Sequence, residues 1–552
     1  MAVTDPLGHT TRSTYDAAGR LMAETDALSQ TTRYGYDAVG NHTVITDSRG
    51  LVTRFTYDAA NRLIAETDAL SQTTHYAYDA TGNRIQVRDP AGAVTRMSYD
   101  LGGRQVAVTD ALTRTTHRAY DDLGRLVRQT APDGTVTTFA YDEGGRLVTV
   151  VENAQPGQPA DHETNVTTHY TYDANGNRLS ITDANGHTRH TTYDALNRPI
   201  RQSDPLAQTR TLSYTPRGHL HQVTDAKGQV TTHTYDARGL RVRTEWSDEV
   251  VAWGYDALGR RTVMTDTLGT TQFHYDALGR VEAVTDPFGA QVDYTYDAAN
   301  NLARLHTGDQ AVAYSYDDLN RLLEVRDGTE QVVANYTYDA VSRVVAVTYA
   351  NGVTTQYGYD AAGQVTEQQT RQADTTLAHF QWSYDLEGRR VEAHEMLGGV
   401  STTWNYTYDP LGRLTQASAG GGGPAYQYGY DAVGNRTGLW ENGQLVASHT
   451  YNAANQVVGW QYDANGNLLD DGSRSFHYDA ADRLVQHDGT SYAYNGDGVL
   501  LQATRDDTTT RYTQDLAAPL SRVLQATEGV STTHSLYGVA RLAAQEGAGP
   551  RT

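Results

Sequence analysis

The 552-residue sequence contains no cysteine, a single lysine (Lys227) and only 6 phenylalanines, and its mean hydropathy is -0.60. The lack of cysteine excludes a disulfide framework and any metal site built from thiolates. No apolar run reaches the length that a helix needs to cross a bilayer. Residues 1–16 have neither a basic region nor an apolar core, so the sequence predicts no signal peptide.

The charge balance is acidic, with a formal net charge of -22 at pH 7 and almost all of the positive charge on arginine. The sequence shows no local cluster of basic residues, whereas phosphate contacts require clustered Lys and Arg side chains. We therefore predict neither nucleic acid as a partner nor insertion into a membrane.

Tyrosine is abundant, with 38 copies, and many of them stand in Tyr-Asp pairs at a fixed spacing. From Tyr15 to Tyr141 these pairs recur every 21 residues. Each unit opens on Tyr-Asp, places Gly or Asn three residues after the Asp, crosses a Thr-Asp pair and returns through a Thr-rich segment. A fixed period in this range indicates a repeat architecture.

In both halves of the unit, successive side chains alternate between the two faces of a predicted strand. We call the Tyr of each Tyr-Asp pair the tag tyrosine. In residues 31–36, Tyr34 lies on one face with the tag tyrosine Tyr36, and Arg33 lies on the other. This period of two, rich in β-branched and aromatic residues, predicts a half-buried strand. Asp37-Ala-Val-Gly40 predicts a type I turn, in which the Asp side chain accepts backbone N–H groups and the Gly takes the left-handed conformation. Each unit is therefore predicted to be a β-hairpin.

The residues expected to carry the architecture are the Tyr, the Asp, the residue three after the Asp, and the Arg that follows it in some units. We assign these structural repeat positions to Tyr15, Asp16, Gly19, Tyr36, Asp37, Gly40, Tyr57, Asp58, Tyr78, Asp79, Gly82, Tyr275, Asp276, Gly279 and Arg280. No residue is assigned to catalysis, to a metal or to a cofactor, because the carboxylates already have turn roles and metalloprotease, serine-hydrolase and phosphate-loop motifs are absent.

The repeat array is predicted to cover residues 1–511, with an insert loop at 152–165 and a glycine-rich loop at 417–425. Residues 512–552 keep strand-like runs but lose the Tyr-Asp pair, so we interpret them as a degenerate end segment that precedes a core domain missing from the sequence. The chain also begins inside a unit, at Val3-Thr4-Asp5, and we expect it to be a fragment of a larger protein.

Units such as Tyr275-Asp-Ala-Leu-Gly-Arg280 resemble the YD repeat, also called the RHS repeat, and the resemblance covers nearly the whole chain. It is a resemblance to bacterial Rhs polymorphic toxins, the C component of Tc toxins, WapA-like wall proteins and the teneurin YD shell. It implies an all-β fold, in which a long array of antiparallel β-hairpins forms a spiralled, hollow β-ribbon shell. Strand twist points the same way, because a ribbon of this length cannot stay flat.

The resemblance also implies a function. The chain would be a structural scaffold and no enzyme: a segment of an RHS-repeat shell that encapsulates a C-terminal toxin or effector. The expected partners are the remaining repeats, the core domain and a toxin cargo polypeptide, without a cofactor. The expected location is secreted or on a bacterial cell surface, as part of a larger protein.

An alternative function is a cell-surface adhesion module or a carbohydrate-binding repeat module with a glycan as its ligand. It would use exposed Tyr and Trp rings, and the tryptophans are Trp246, Trp253, Trp382, Trp404, Trp440 and Trp460. Trp also packs well within strands, so its presence favours this alternative only slightly.

Overall fold

The computed structural model describes residues 1–308 and 310–546, and residues 547–552 of the predicted end segment lie outside the described residues. Within the described part of the chain every named element is a β-strand. No helix there is long and apolar enough to span a bilayer. The predicted all-β array of hairpins is confirmed.

The 52 strands follow one another with turns or loops between them. The first fifteen are β1 (Ala2–Thr4), β2 (Thr10–Tyr15), β3 (Leu21–Thr25), β4 (Thr31–Tyr36), β5 (His42–Thr46), β6 (Val52–Tyr57), β7 (Leu63–Thr67), β8 (Thr73–Tyr78), β9 (Arg84–Arg88), β10 (Val94–Tyr99), β11 (Gln105–Thr109), β12 (Thr115–Tyr120), β13 (Leu126–Thr130), β14 (Val136–Tyr141) and β15 (Leu147–Glu152). The next nineteen are β16 (Val166–Tyr172), β17 (Arg178–Thr182), β18 (Thr188–Tyr193), β19 (Pro199–Ser203), β20 (Thr209–Tyr214), β21 (Leu220–Thr224), β22 (Val230–Tyr235), β23 (Arg241–Glu245), β24 (Val250–Tyr255), β25 (Arg261–Asp266), β26 (Gly269–Tyr275), β27 (Val281–Thr285), β28 (Gln291–Tyr296), β29 (Leu302–Thr307), β30 (Gln310–Tyr316), β31 (Leu322–Arg326), β32 (Val332–Tyr338), β33 (Val344–Tyr349) and β34 (Val353–Tyr359). The remaining strands are β35 (Val365–Gln372), β36 (Thr375–Tyr384), β37 (Arg390–Leu397), β38 (Val400–Tyr408), β39 (Leu414–Ala419), β40 (Ala425–Tyr430), β41 (Arg436–Glu441), β42 (Gln444–Ser448), β43 (Gln461–Tyr462), β44 (Leu468–Asp470), β45 (Phe476–Tyr478), β46 (Leu484–His487), β47 (Thr490–Tyr494), β48 (Leu500–Arg505), β49 (Thr508–Gln514), β50 (Val523–Glu528), β51 (Ser531–Tyr537) and β52 (Arg541–Glu546).

Within each sheet, every strand pairs antiparallel with the next along the chain. Strands β1 to β42 form one 42-stranded sheet, β43 and β44 form a short pair, and β45 to β52 form an eight-stranded sheet. The pairing shifts register at each tag tyrosine, for example between Gly35 and Tyr36 opposite His42. This bulge is the one that a three-residue turn ending in a left-handed residue produces.

The turn after each tag tyrosine follows from its sequence. In the second unit, the Asp37 N–H donates to the Asn41 carbonyl at 3.0 Å, and the Gly40 N–H donates to the Asp37 carbonyl at 3.2 Å. Gly40 has φ of +101°, in the left-handed region, where a side chain would be strained. Asn61 occupies the equivalent place in the next unit with φ of +60°, because Asn tolerates this conformation better than other residues with a side chain.

The ribbon closes on itself as a spiral. The Ser48 hydroxyl, in the turn between β5 and β6, donates to the Ala298 carbonyl, in the turn between β28 and β29, which is 23 strands later. The pairs Arg114 with Gln364 and Asn185 with Asp431 join turns that are also 23 strands apart. Because 23 is odd, the edge that carries the Thr-Asp turns always meets the edge that carries the Tyr-Asp turns.

The spiral encloses an interior. At about 4.8 Å per strand, one turn of 23 strands has a circumference of about 110 Å and a diameter of about 35 Å. The accessible surface is 29350 Å², whereas a compact monomer of 60.4 kDa would expose about 19500 Å². The excess surface is that of a wall that is accessible on two faces, which confirms the predicted hollow shell.

The two faces of the wall differ in composition. We call "tyrosine face" the face that carries the residues two and four before each tag tyrosine together with their cross-strand partners, such as Tyr34 and its partner Ile45. The buried apolar residues that β24 to β29 contribute to the largest cluster, including Trp253, Phe273 and Tyr294, all lie on this face. The opposite face carries Arg, His and Thr in the first units, as at Arg33.

The tyrosine face lies inward, as the last strands show. Leu524 of β50 and Leu536 of β51 are buried against this face of the preceding turn. Val539, after β51, donates its N–H to the hydroxyl of Tyr336 in β32, so only 19 strands separate them. Fewer strands per turn mean a smaller circumference, so these last strands lie inside the ring that they contact and narrow that end of the shell.

The predicted division of the chain at residue 511 remains a prediction, since strand pairing continues through it in β49. Residues 153–165 form the loop between β15 and β16. The glycine-rich turn is confined to residues 420–424, because Ala417 pairs with Tyr426 and so extends the ladder into the predicted loop.

Small-angle X-ray scattering on the purified chain tests the spiral. We expect a radius of gyration of about 24 to 30 Å, the value for a closed particle of this chain length. The same strands laid out as a straight ribbon would give a rod with a radius of gyration of about 70 Å. A rod-like scattering profile at low protein concentration would contradict the closed spiral.

Candidate functional site: the clamp between repeats and the seam between turns

One carboxylate organises each Tyr-Asp turn. Asp16 Oδ1 accepts the N–H groups of Ala18 and Arg20, both at 2.9 Å. Its other oxygen, Oδ2, accepts Nε–H of Arg20 at 2.7 Å. The backbone and side-chain hydrogen bonds from Arg20 hold the pKa of Asp16 below its usual range. The turn and the Arg side chain are thus fixed by the same group.

The Arg held in this way links its own hairpin to the next. Arg20 Nη1 donates to the backbone carbonyl of Asp37 at 3.0 Å, and its guanidinium lies 4.8 Å from the centre of the Tyr36 ring. The Tyr36 hydroxyl in turn donates to the carbonyl of Leu21 at 2.9 Å. We call this set of an Asp, its Arg, and the next tag Tyr the repeat clamp.

The repeat clamp recurs along the ribbon. The Arg over the next tag Tyr is seen in the pairs Arg62–Tyr78, Arg104–Tyr120, Arg125–Tyr141, Arg146–Tyr172, Arg198–Tyr214, Arg260–Tyr275, Arg280–Tyr296, Arg321–Tyr338, Arg343–Tyr359, Arg389–Tyr408, Arg413–Tyr430 and Arg483–Tyr494. Each contact combines a cation over a ring face with charge-assisted hydrogen bonds. Repetition makes the clamp a regular side-chain connection between hairpins, in addition to the backbone pairing of one hairpin with the next, as between β3 and β4.

The structure brings the assigned tyrosines against the preceding unit, whereas the assigned Asp and Gly residues meet within their own turns. The tag tyrosines Tyr36, Tyr78 and Tyr275 each receive the Arg of the preceding unit. Tyr15 belongs to the first hairpin and is 49% exposed. Tyr57 follows a unit with Asn41 in place of Arg. The assignment of these residues as structural positions remains a proposal that the clamp geometry supports.

The other assigned positions build the turns. Oδ1 of each of the carboxylates Asp37, Asp58, Asp79 and Asp276 accepts the N–H of the fourth residue after it. The glycines Gly19, Gly40, Gly82 and Gly279 all have φ between +78° and +101°. Arg280 donates to Asp276 and to Oδ1 of Asn300, the latter at 2.7 Å.

A second version of the clamp uses two amides, and the sequence reasoning above did not identify it. Asn41 Nδ2 donates to Asp37 and to Oδ1 of Asn61, the latter at 3.1 Å. The same bond recurs from Asn177 to Asn197, Asn301 to Asn320 and Asn435 to Asn455. Asn467 donates in the same way to the carboxylate of Asp482, which replaces the second amide. The sequence does carry a signal for this hydrogen bond. Each acceptor stands at the left-handed turn position of the unit that follows a unit with Asn in place of the clamp Arg.

Successive turns of the spiral meet along a polar seam. The only lysine, Lys227, lies in it and forms ion pairs with Asp482 at 2.7 Å and Asp463 at 3.3 Å. Asn465 Nδ2 donates to Asp225 across the same seam at 2.6 Å. Hydrogen bonds from Lys227 offset the effect of partial burial and hold the pKa of Asp482 below its usual range. The single lysine thus has a specific place between turns.

A buried tyrosine hydroxyl joins the loop after β49 to the wall of the shell. The Tyr294 hydroxyl donates to Oδ1 of Asp515 at 2.7 Å. Burial raises the pKa of Tyr294, and the charge of Asp515 raises it further. Leu516 and Ala517 pack beside this bond against the tyrosine face. The loop after β49 is therefore fixed to the inside of the wall.

The described residues contain no group of three or more His, Asp or Glu side chains that could hold a metal ion. The Trp residues do not form an exposed surface either, since Trp253 is 8% exposed and the other five are half-buried. Trp404, for example, stacks with Tyr426 at 6.3 Å between ring centroids. The chemistry visible here is that of structural contacts between neighbouring hairpins.

Replacing a clamp arginine tests the link between hairpins. We expect Arg62→Ala to raise amide hydrogen exchange about tenfold or more in β7 and β8, because it removes charge-assisted bonds to Asp58 and to the Asp79 carbonyl. Arg54→Ala is the matched control, since Arg54 lies in the same repeat on the opposite face and makes no hydrogen bond or ion pair in the described residues. Equal exchange in the two variants would refute the clamp.

Acid should weaken the turns in a defined pH range. Hydrogen bonds from Asn83 and Thr81 lower the pKa of Asp79 to about 2, whereas an unfolded Asp has a pKa of about 3.9. The folded chain therefore binds this proton more weakly, and its stabilising effect is present above pH ~4 and lost as pH falls towards ~2.

The denaturant midpoint, followed by circular dichroism, measures this effect. We expect Asp79→Asn to flatten the fall between about pH 4 and 2, and Asp122→Asn, at an exposed position beside another tag turn, to leave it unchanged. A midpoint that rises on acidification would contradict the assignment.

Two family models match the chain. The RHS Repeat model matches residues 1–31, 15–52, 36–73, 57–94, 78–115, 120–155, 275–312 and 338–376. The Teneurin YD-shell model matches residues 157–291 and 441–529. Between them the two models cover most of the chain, and both describe the repeat whose clamp is seen here.

Solved structures share the fold. The crystal structure of TcdB2-TccC3-Cdc42 superposes with a TM-score of 0.66 at 13% sequence identity, over 98% of this chain and 41% of that one. The Photorhabdus luminescens Tc holotoxin pore superposes with a TM-score of 0.63 at 14% identity, over 96% of this chain and 40% of that one. This chain thus spans less than half of the length of these neighbours.

One curated relative matches part of the chain. The Double-stranded DNA deaminase toxin A of Burkholderia cenocepacia is 26% identical over 210 residues, which is 35% of this chain and 14% of the relative. The repeat units, the hairpin spiral and the two family models agree on one assignment. The chain belongs to the RHS-repeat, or YD-repeat, family.

Proposed function

We propose that this chain is a wall segment of an RHS-repeat shell, a structural scaffold that encloses a polypeptide toxin or effector. The observation that carries the proposal is the closed turn of 23 strands with its aromatic face inward. A ribbon that served as an extended stalk would have no need of a seam between successive turns.

The interior suits an unfolded polypeptide. After about 10 Å is allowed for the side chains that line the wall, the lumen is about 25 Å across. The rings of Tyr34, Phe55, Tyr76, Phe139 and Tyr170 lie on the inward face and are only half-buried. Such rings offer apolar contact and a hydroxyl or ring edge to any segment beside them without a specific pocket. Contacts of this kind would hold many sequences.

The partners and location follow from the same proposal. Among the described residues, the strand β1 pairs only with β2, so its other edge offers backbone groups on which further repeats would continue the ribbon. The cargo and any core that releases it would belong to the rest of a larger, exported bacterial protein. The chain itself would act without catalysis or a cofactor.

Protection of a passenger polypeptide tests this function. An unfolded reporter would be fused after Thr552, so that it follows the strands of the narrow end in the chain, and the matched control would carry the same reporter before Met1, at the open edge of β1. We expect trypsin to degrade the reporter of the control rapidly and to spare the reporter behind Thr552, as followed by mass spectrometry.

The particle must first show the compact scattering profile expected above, so that loss of protection is not caused by a misfolded wall. Equal degradation of the two reporters on an intact particle would overturn the enclosing role. Protection of the reporter behind Thr552 alone would support it.

A further inference from the structure

The inward face of β18 and β20 carries two arginines, Arg189 and Arg210. Each stands four residues before its tag tyrosine, which is a position of the tyrosine face. Strand pairing gives the same result, since Arg189 is opposite Ile181, and Ile181 is opposite Tyr170 of that face. Both arginines are exposed, so their side chains face the lumen.

These two arginines lie in a concave part of the inner wall. Strands β17 to β22 form the floor of a cavity of about 560 Å³, and Arg189 and Arg210 belong to this floor. Asn465 and Ala480, from the next turn of the spiral, form one side of it, and Trp246 also lines it. The volume is in the range of ligand pockets. We call this space the cationic cavity.

The guanidinium groups of the cavity have no partner within the described residues. Arg189 and Arg210 make no side-chain hydrogen bond or ion pair there, whereas the clamp residue Arg198, which lies between them in sequence, binds Asp194 at 2.6 Å. Strands β17 to β22 contain no Asp or Glu at all. Free guanidinium groups of this kind match carboxylate and phosphate groups.

Three carboxylates border the cavity, and each is held at the edge of the wall. Asp204 Oδ1 accepts backbone N–H groups of its own turn. Asp225 accepts the side-chain amide of Asn465 at 2.6 Å, and Asp482 forms its ion pair with Lys227. None of the three forms an ion pair with either arginine of the floor.

The histidines next to these arginines report the sign of the local charge. His221 and His233 lie on the inward face of β21 and β22. Burial lowers the pKa of His233, and the neighbouring Arg241, His221 and Arg210 lower it further by charge repulsion. An anion in this part of the lumen therefore meets a favourable potential, which a concave wall strengthens.

The separation of the two arginines suits an unfolded polypeptide. In the ladder, Gln202 of β19 lies between Thr191 of β18 and Arg210 of β20. Arg189 stands two residues before Thr191, so the Cα atoms of Arg189 and Arg210 are two strands and two residues apart, about 12 Å. Unfolded chains populate the polyproline II conformation, in which carboxylates three or four residues apart are about 9 to 12 Å apart.

A continuous polyanion fits the same cavity less well. Charges recur about every 3.4 Å along a strand of nucleic acid, whereas the floor offers two guanidinium groups about 12 Å apart. A strand of nucleic acid would also bring phosphates close to Asp204, Asp225 and Asp482 at the border. A polypeptide carries its charges only at some residues, so it can place them at the arginines and pass the border with uncharged side chains.

We infer that the cationic cavity binds an acidic stretch of the enclosed polypeptide, in which two Asp or Glu residues three or four positions apart bind Arg189 and Arg210. The inference rests on the proposed function, because the cavity faces the lumen. It adds a preference for one kind of sequence to a wall whose rings would accept many.

Binding of a short peptide to the purified chain, measured by titration calorimetry, tests the inference. The peptide Pro-Glu-Pro-Pro-Glu-Pro favours polyproline II and carries two carboxylates three residues apart. We expect its counterpart with Gln at both Glu positions to bind about tenfold more weakly or worse, because two charge-assisted contacts are lost. The variant Arg189→Gln/Arg210→Gln should weaken the Glu peptide by a similar factor and leave the Gln peptide unchanged.

The matched control removes two exposed arginines from the outward face, as Arg128→Gln/Arg201→Gln, and so changes the net charge by the same amount. Arg128 pairs with Ala119, and Arg201 pairs with Thr192, each of which stands one residue before a tag tyrosine. This variant should bind the Glu peptide as the unchanged chain does. Circular dichroism and scattering confirm that both variants keep the fold.

Short oligo-dT should bind the chain more weakly than the Glu peptide at the same salt concentration, and tighter binding would overturn the choice of a polypeptide. Equal binding of the Glu and Gln peptides, or equal losses in the cavity variant and its control, would overturn the site.

The passenger experiment on the reporter behind Thr552 separates the two proposals. Protection of that reporter without binding of the Glu peptide would refute the cavity and leave the enclosing role intact. Binding of the peptide without protection would support the cavity as an acidic-peptide site and overturn the enclosing role.

Discussion

A single carboxylate per unit connects local folding to the growth of the ribbon. Asp16 closes its own turn with one oxygen and orients Arg20 with the other, and Arg20 then bonds to the next unit at Asp37 and covers Tyr36. Because each Arg is fixed at its base before it reaches its neighbour, little side-chain freedom remains to be lost when the units dock. A two-stranded hairpin alone would be only marginally stable, so stability depends on the pairing of each hairpin with the next, which this link reinforces.

The same link sets the shape of the assembly. Identical contacts between successive hairpins produce a constant rotation and rise, which is why bonds between turns repeat at 23 strands in the early, middle and later parts of the ribbon. The seam then adds contacts such as Lys227 with Asp482 that no single unit could form. Near the C-terminal end of the described chain, the number of strands between contacting turns drops to 19, and the last strands lie inside the ring.

Curvature gives the two faces of the wall different environments. The inward face brings aromatic residues together, and Trp253, Phe273 and Tyr294 become buried where the last strands cover them. The outward face spreads its side chains apart and leaves Arg33 and Arg54 exposed to solvent. We propose that the inward face holds a polypeptide, a role that the alternation of each strand allows by placing its aromatic side chains on one face.

The sequence by itself determined the elements: a Tyr-Asp period of 21, alternation along each strand and Asp-x-x-Gly turns specify hairpins such as that around Asp37 and Gly40, because turn chemistry and strand period are local properties. The sequence also carries a signal for the pair Asn41 and Asn61, because Asn61 stands at the left-handed position of the unit that follows Asn41. The hydrogen bond between them is seen only in the structure. The tertiary structure alone decided which residues meet 23 strands apart and that the tyrosine face lies inward. These features depend on a small twist between hairpins that accumulates over a whole turn, and no local pattern of residues records that sum.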